Sequence, residues 1–274
     1  MATSHQLVLL ARDPKKLKDL AERGATIKPG SLDDHAYVSD ATRGADVLFL
    51  VIPPDFASSD FRAFQNRVGD AAVSAITANK ITRVVFLSSV GAHHGDGYGP
   101  VSGLSDVEKA LRKTPAHVTM LRPTFFMENF LANLPTIAAS GAMFMPVPGS
   151  VRVPFVATSD VAKLAAQRIQ DARWTGTSVM ELVGPEDVSF DEAAQAIGGA
   201  VGKKVAHMEC TADQLIDALV AIGISKNVAS SYAQLYQRFR EGRFDPETKP
   251  RRGEMTFKTF AKVVFAPAYQ GMAR

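Results

Sequence analysis

The chain has 274 residues, 46% of them hydrophobic, with a formal net charge of +3 and a single cysteine, Cys210. That length buries a sizeable core in one large or two modest domains, and the composition excludes a disordered or low-complexity chain. The small charge argues against nucleic acid or an anionic membrane as principal partner, and the lone cysteine excludes an internal disulfide, which suits a reducing cytoplasm.

The first apolar run is followed at once by Arg12, the reverse of a signal peptide's plan. No apolar run approaches the ~20 residues of a membrane span, so a cytoplasmic protein is expected. In chain order, "QLVLLA" (6–11) predicts a strand. "RDPKKLKDLAERGA" predicts a helix entered at Pro14 and left at Gly24. "ATIKPG" gives a second strand, and "LDDHAYVSDATRGA" a helix. There follow the strand "DVLFLVIPP", a helix from about Phe61 to Asn79, the strand "RVVFLSS", a helix over "SDVEKALRK" and the strand "HVTMLRP". These strands are continuous apolar runs without alternation, as expected where both faces are covered. Strand–helix alternation with short joints predicts an α/β fold with a doubly wound parallel sheet.

After about Gly141 the pattern loosens. A proline-rich stretch leads to a helix capped near Thr158–Asp160, then the strand "SVMELVG", a helix starting at Ser189, and a mostly helical remainder. Two units are expected: a nucleotide-binding domain over 1–140 and a smaller, mostly helical lobe over 141–274 that closes on the sheet.

Ligands of such sheets bind outside the carboxyl ends of the strands. That directs attention to Ala11–Asp13, Gly30–Asp33, Ile52–Asp55, Ser88–Gly91 and Arg122–Asn129. Arg12 ends the strand that presents the group contacting the adenosine ribose, where an arginine accommodates a 2′-phosphate. Lys16, one helical turn on, reaches the same place. The alternative is a solvated helix start, although positive charge there opposes the helix dipole. Gly95, Gly97, Gly99 and Gly103 lie in a long segment after a later strand, which reads as a flexible active-site loop and not as a dinucleotide fingerprint. "GGAVGKK" (198–204) is one residue short of a phosphate loop and follows a helix. His93, His94 and Asp96 do not make up a zinc ligand set, so no metal is expected.

Ser88 and Ser89 sit where a hydroxyl meets cofactor or substrate. No Tyr-x-x-x-Lys pair is present: Ser102 follows Tyr98 by four residues, and Ser105 precedes Lys109 by four. Relay of a proton to an alcohol through that pair is therefore disfavoured. In "LRPTFFMENFL", Phe125, Phe126 and Met127 can wall a flat apolar pocket with Glu128 and Asn129 as polar contacts. Core packing of an aromatic helix start explains them equally well.

The segments "LLARDPKKLKDLAERGA", "GSLDD", "ADVLFLVIPP", "RVVFLSSVGA", "VEKALRKTPAHVTMLRPTFFMENFL", "VRVPFVATSDVA", "YQRFREGRF" and "RRGEMTFKTFAKVVFAPAY" together resemble the NmrA-like family. Its members are atypical short-chain dehydrogenases/reductases with a Rossmann fold. The resemblance spans essentially the whole chain. It implies a strand, a T-G-A-T-G-x-x-G loop and a helix ahead of "QLVLLARDP", and "MATSHQ" stands where that helix would end. The expectation is a Rossmann-like sheet without its first strand–helix unit, arising from a start codon placed too far downstream or from a genuinely shortened variant. Such a chain is expected to show impaired dinucleotide binding, lowered stability and edge-to-edge pairing.

By the same resemblance Arg12 and Lys16 hold the 2′-phosphate, which implies NADP(H) in preference to NAD(H). Ser31 replaces the usual Asp of a G-D-x-x-D stretch, with Leu32 beside it as a cofactor-binding candidate. Ile52 and Pro53 pass under the adenosine, Ser88 meets the cofactor, and Phe126, Glu128 and Asn129 lie beside the nicotinamide. Ser89, Phe125 and Met127 are the substrate-pocket candidates. Pro100 and Leu104 occupy the places of the superfamily's Tyr and Lys. The implied activity is reduction of a small-molecule acceptor of quinone type. A non-catalytic dinucleotide sensor acting through a protein partner, or an inactive form, are the alternatives. A homodimer or a protein partner is left open.

Overall fold

The computed structural model describes residues 5–171 and 173–272. In chain order, β1 (Val8–Ala11) leads through a short 3-10 turn to α1 (Lys18–Glu22), then β2 (Thr26–Pro29), α2 (His35–Ala41) and β3 (Val47–Leu50). There follow α3 (Phe61–Ala78), β4 (Arg83–Leu87), α4 (Pro100–Leu111) and β5 (His117–Pro123). Next come α5 (Leu134–Ser140), β6 (Ala142–Met145), β7 (Arg152–Val153), α6 (Thr158–Gln170) and β8 (Thr177–Val183). The remainder is β9 (Val188–Ser189), α7 (Phe190–Val201), β10 (Ala206–Glu209), α8 (Ala212–Ala221), α9 (Lys226–Arg240) and β11 (Arg251–Arg252). At the end, α10 (Phe257–Phe260) passes through a π turn into α11 (Ala266–Met272). No helix among the described residues is long and apolar enough to cross a membrane.

The expected α/β architecture is present. Five parallel strands run in the order β11-β8-β5-β4-β3. The central strands are apolar because helices cover both faces, and Val84, Val85, Phe86, Val118 and Met120 are wholly buried. α3 and α4 shield one face through Ile76, Val107 and Leu111, while α6 covers the other through Val161 and Leu164. β8 and β11, both from beyond Gly141, complete this sheet.

β1 and β2 form a separate parallel pair, with Val8 opposite Thr26 and Ala11 opposite Pro29. β1 is not the fully covered strand that its apolar run predicts. It starts two residues later, its residues are half-exposed, and Val8 is among the exposed apolar side chains. β3, at the sheet's end, leaves Phe49 41% exposed and Val51 exposed beside it. β1 and β3 each therefore carry a backbone edge unpaired among the described residues, flanked by apolar side chains.

The largest cluster of buried side chains lies beyond the sheet's carboxyl edge. It gathers Phe125, Phe130, Phe155, Phe190, Phe239, Phe257, Phe260 and Phe265 from seven segments. Ring centroids there stand 4.9–5.8 Å apart in largely edge-to-face pairs, the arrangement favoured by the ring quadrupole. This core fixes the C-terminal helices against the segment that leaves β5.

The stretch from Ala92 to Leu111 differs from the flexible loop that its glycines suggest. A 3-10 turn over Ala92–His94 is followed by α4 from Pro100, five residues ahead of the expected start. Proline at the first helical position is preorganised for that role. Gly103 lies inside α4 because any β-carbon would meet Gln65 at 2.2 Å.

Candidate functional site

The carboxyl ends of the strands bring most of the expected residues to one edge. Beyond β1, the guanidinium of Arg12 and the amine of Lys16 are exposed, and neither joins a salt bridge among the described residues. Asp13 closes the start of the following turn by accepting from Lys15 N at 3.0 Å. Beyond β2, the Ser31 hydroxyl donates to Asp33 Oδ1 at 2.5 Å. That bond, opposed by partial burial and helped by Arg67 and Arg12, holds the Asp33 carboxyl below the usual range. Leu32 packs on Phe61, Phe64 and Val228, and Ile52 joins the same cluster from the end of β3. Pro53 is half-buried beside it.

Ser88 is corrected. It is sealed in the interior, and its hydroxyl donates to Glu108 Oε1 at 2.5 Å. The Ser89 hydroxyl stays half-exposed and donates to Val90 O.

The segment after β5 divides. Phe125 is 6% and Met127 1% exposed, so both belong to the aromatic core and neither walls an open pocket. The cause is an isolated parallel bridge between Phe126 and Val156. Val156 N donates to Phe125 O, and Met127 N to Val156 O. This pins alternate side chains inward and leaves Phe126 half-buried at the edge. Glu128 has a structural partner: both carboxylate oxygens accept from Thr158 N at 3.0 Å, and one from the Thr158 hydroxyl. It caps α6, whose own N-cap, Ala157, has no side-chain oxygen to offer. Asn129 is exposed.

Beneath this edge lies an ionic network centred on Arg122, the first residue of the strand-end segment 122–129, with carboxylates from outside the expected site residues. Arg122, 3% exposed in its side chain, donates Nε and Nη2 to the two oxygens of Glu108 and Nη1 to Glu247. Glu181 on β8 lies 3.8 Å from Nη1 and accepts from Glu247 N, Thr248 N and the Thr248 hydroxyl. Burial works against the Arg122 charge, but the bonds to Glu108 and Glu247 outweigh it and hold its pKa above the ordinary value. The bond from Arg122 in turn holds the Glu247 carboxyl below its usual range. Removing one partner from such a group costs about 3–5 kcal/mol, because the other is left charged and dry. An Arg and a Glu inside the apolar runs "TMLRP" and "SVMELVG" were the only sequence signals.

His93, within electrostatic reach of Arg122, Glu181 and Glu247, has its Nδ1 buried and unpartnered among the described residues. Burial, and secondarily His94, push its pKa below the ordinary value. Among the described residues no group of three or more His, Cys, Asp or Glu is placed to hold a metal. Two solvent-open grooves, one around Cys210 and Arg240 and one around Lys203 and His207, lie apart from the residues expected from sequence.

For a dinucleotide, the edge fits at its two ends. Exposed cationic side chains at Arg12 and Lys16 suit a phosphate, and Ser89, Phe126 and Asn129 suit a flat ring. No glycine-rich turn joins a strand to a helix at this edge among the described residues, since the β1–α1 joint is Arg12-Asp13-Pro14.

A model of the NmrA-like family matches residues 1–262. The chain is 25% identical over 260 residues to an NAD(P)H azoreductase of Xenophilus azovorans, covering 92% of this chain and 87% of that protein. It is 28% identical over 232 residues to quinone oxidoreductase 2 of Escherichia coli, covering 83% and 77% respectively. In fold it is similar to a triphenylmethane reductase of Citrobacter, with a TM-score of 0.75 at 19% identity over 98% of this chain and 91% of that one. It is also similar to an NADPH-dependent quinone oxidoreductase of E. coli solved with NADPH, with a TM-score of 0.70 at 20% identity over 100% and 93%.

Proposed function

The chain belongs to the NmrA-like family, and from that premise we propose that it is an NADPH-dependent reductase of a flat, conjugated acceptor of the quinone class. The observation that carries the reading is the pair of exposed cations, Arg12 and Lys16, at the carboxyl end of β1, neither of them in a salt bridge among the described residues. They would hold a 2′-phosphate, which NADPH has and NADH lacks. The names of the two relatives, an azoreductase and a quinone oxidoreductase, support an acceptor of this kind. Bound NADPH supplies a hydride, and the protein supplies position and electrostatics. Phe126 and Asn129 at the end of β5, with Ser89 at the end of β4, would orient the reacting ring. Pro100 and Leu104 begin α4 where a tyrosine–lysine relay would stand, which suits an acceptor needing little proton relay. It equally suits a dinucleotide sensor that performs no chemistry.

The test is titration of the chain with NADPH and NADH, followed by NADPH oxidation against a panel of quinones. The proposal expects NADPH to bind at least tenfold more tightly than NADH, an Arg12→Ala variant to lose that preference, and turnover that disappears in Phe126→Asp. Binding without acceptor-dependent oxidation would support the sensor. Equal affinity for both dinucleotides would refute the role given to Arg12 and Lys16.

A further inference from the structure

The segment between α9 and β11, residues 243–250, crosses the carboxyl ends of three strands in turn. Beyond β4, the Tyr98 hydroxyl donates to Arg243 O, and His94 Nε2 stands 3.5 Å from Asp245 Oδ1. At β5, Glu247 Oε2 accepts from Arg122 Nη1 at 2.6 Å. At β8, Glu181 accepts from the amides of Glu247 and Thr248 and from the Thr248 hydroxyl. Ligands of parallel sheets approach across these same strand ends, so the segment lies on their path.

It is anchored at both extremities and lightly held between them. At one end Gly242, with a φ of +65°, closes α9 in the left-handed conformation, and the Phe244 ring packs 4.2 Å from that of Phe239. At the other, Arg251 and Arg252 pair with Leu182 and Val183. From Asp245 to Lys249 the chain is neither helix nor strand, and no side chain there is buried. Pro246 and Pro250 restrict its backbone. Its ties to the strand ends are hydrogen bonds and ion pairs, the kind of attachment that lets one part of a fold open by itself.

The groups beneath offer this bow a second arrangement. Arg122 commits Nε and Nη2 to Glu108, which leaves Nη1 for the bow. Nη1 lies 2.6 Å from Glu247 and 3.8 Å from Glu181 Oε1. The side chains of Arg122 and Glu181 are buried, whereas that of Glu247 is 48% exposed. With the bow in place, its amides satisfy Glu181 and its carboxylate satisfies Arg122. Lifting it strips both buried charges together. Such a loss is costly when nothing replaces the missing partner, but here each charge has the other beside it. A short movement of Nη1 toward Glu181 pairs them, and a side chain with two such discrete partners makes a switch.

We infer that residues 245–249 form a gate over the ends of β5 and β8, with Arg122 as its two-position switch, bonded to Glu247 when the gate is shut and to Glu181 when it is open. The inference rests on the reductase reading for the identity of what enters, a flat conjugated acceptor. Opening then precedes entry, and motions of this kind often set the rate of turnover.

The test is hydrogen exchange on the full chain without ligand, read by mass spectrometry over 245–249 and over β4 and β5. The amides of Glu247 and Thr248 should exchange through local opening, faster than those of the two central strands. Glu247→Gln keeps the shape of the latch and removes its charge. It should speed exchange across 245–249 about tenfold, the difference between a charged and a neutral hydrogen bond, and leave β4 and β5 unchanged. Thr248→Ala, which removes one of the three donors to Glu181, should act in the same direction. Amides at 247 and 248 that exchange no faster than β4 and β5 overturn the inference, as does a Glu247→Gln chain that exchanges faster everywhere. NADPH oxidation with 1,4-naphthoquinone gives the second arm, in which Glu247→Gln should raise kcat/KM for the quinone with NADPH affinity unchanged. An unaltered kcat/KM in a chain whose 245–249 exchange has quickened overturns the gating role. A chain that exchanges as expected yet neither binds nor oxidises NADPH would sink the reductase reading and leave the gate standing.

Discussion

At the scale of single residues, the groups under the carboxyl edge set how stability responds to acid. His93 is held below its ordinary value of 6.5 in the folded protein, chiefly by burial and then by His94, with Arg122 also opposing its charge and Glu247 and Glu181 favouring it. The unfolded chain then binds the proton more readily. Stability is complete above 6.5 and falls as pH drops below it, toward the depressed folded value. Glu247, lowered by its bond to Arg122 from an ordinary 4.5, adds a second loss that begins only below that pH. Melting temperature followed from pH 7.5 to 4 should therefore decline in two stages. His93→Gln should flatten the first stage and leave the second, and an unchanged first stage would show that His93 is not its source.

At the scale of elements, α6 is the clearest dependence of one segment on another. Its first residue, Thr158, is capped by Glu128 from thirty residues upstream. Glu128→Ala should cost about 1 kcal/mol, read as a fall in denaturation midpoint with an unchanged slope; no fall would mean that water caps the helix equally well. The sequence made some elements plain and hid others for physical reasons. β4 and β5 are apolar runs bounded by turn residues, and α7 carries its capping box, Ser189 with Glu192, within four residues. Those signals are local. The cap from Glu128 and the placing of Arg122 against residues 108, 181 and 247 depend on segments far apart in the chain. Phe125 and Phe126 show the limit most closely. Composition marked both as aromatic at a strand's end, and only the bridge to Val156 decides that one enters the core and the other borders the edge.

At the scale of the whole molecule, the edges that β1 and β3 leave unpaired among the described residues bear on its behaviour in concentrated solution. Leu7, 51% exposed, and Val8 beside β1, with Phe49 and Val51 beside β3, place apolar side chains next to free backbone donors and acceptors. Edges of that kind template association between chains. Light scattering should show growing assemblies as concentration rises, and the double substitution Phe49→Lys, Val51→Lys should suppress them. Scattering independent of concentration in the wild type would show that these edges are protected.

The position of β8 also orders events in time. β8 lies between β5 and β11, and Glu181 near its carboxyl end is satisfied by the amides of residues 247 and 248. On a ribosome, strands β3, β4 and β5 emerge long before those amides exist. Until residue 248 is free of the exit tunnel, the carboxylate of Glu181 keeps its water and resists being drawn under the edge. The five-stranded sheet, begun early in the message, is sealed by one of the chain's last loops, so a stalled chain holds a half-built edge that remains wet.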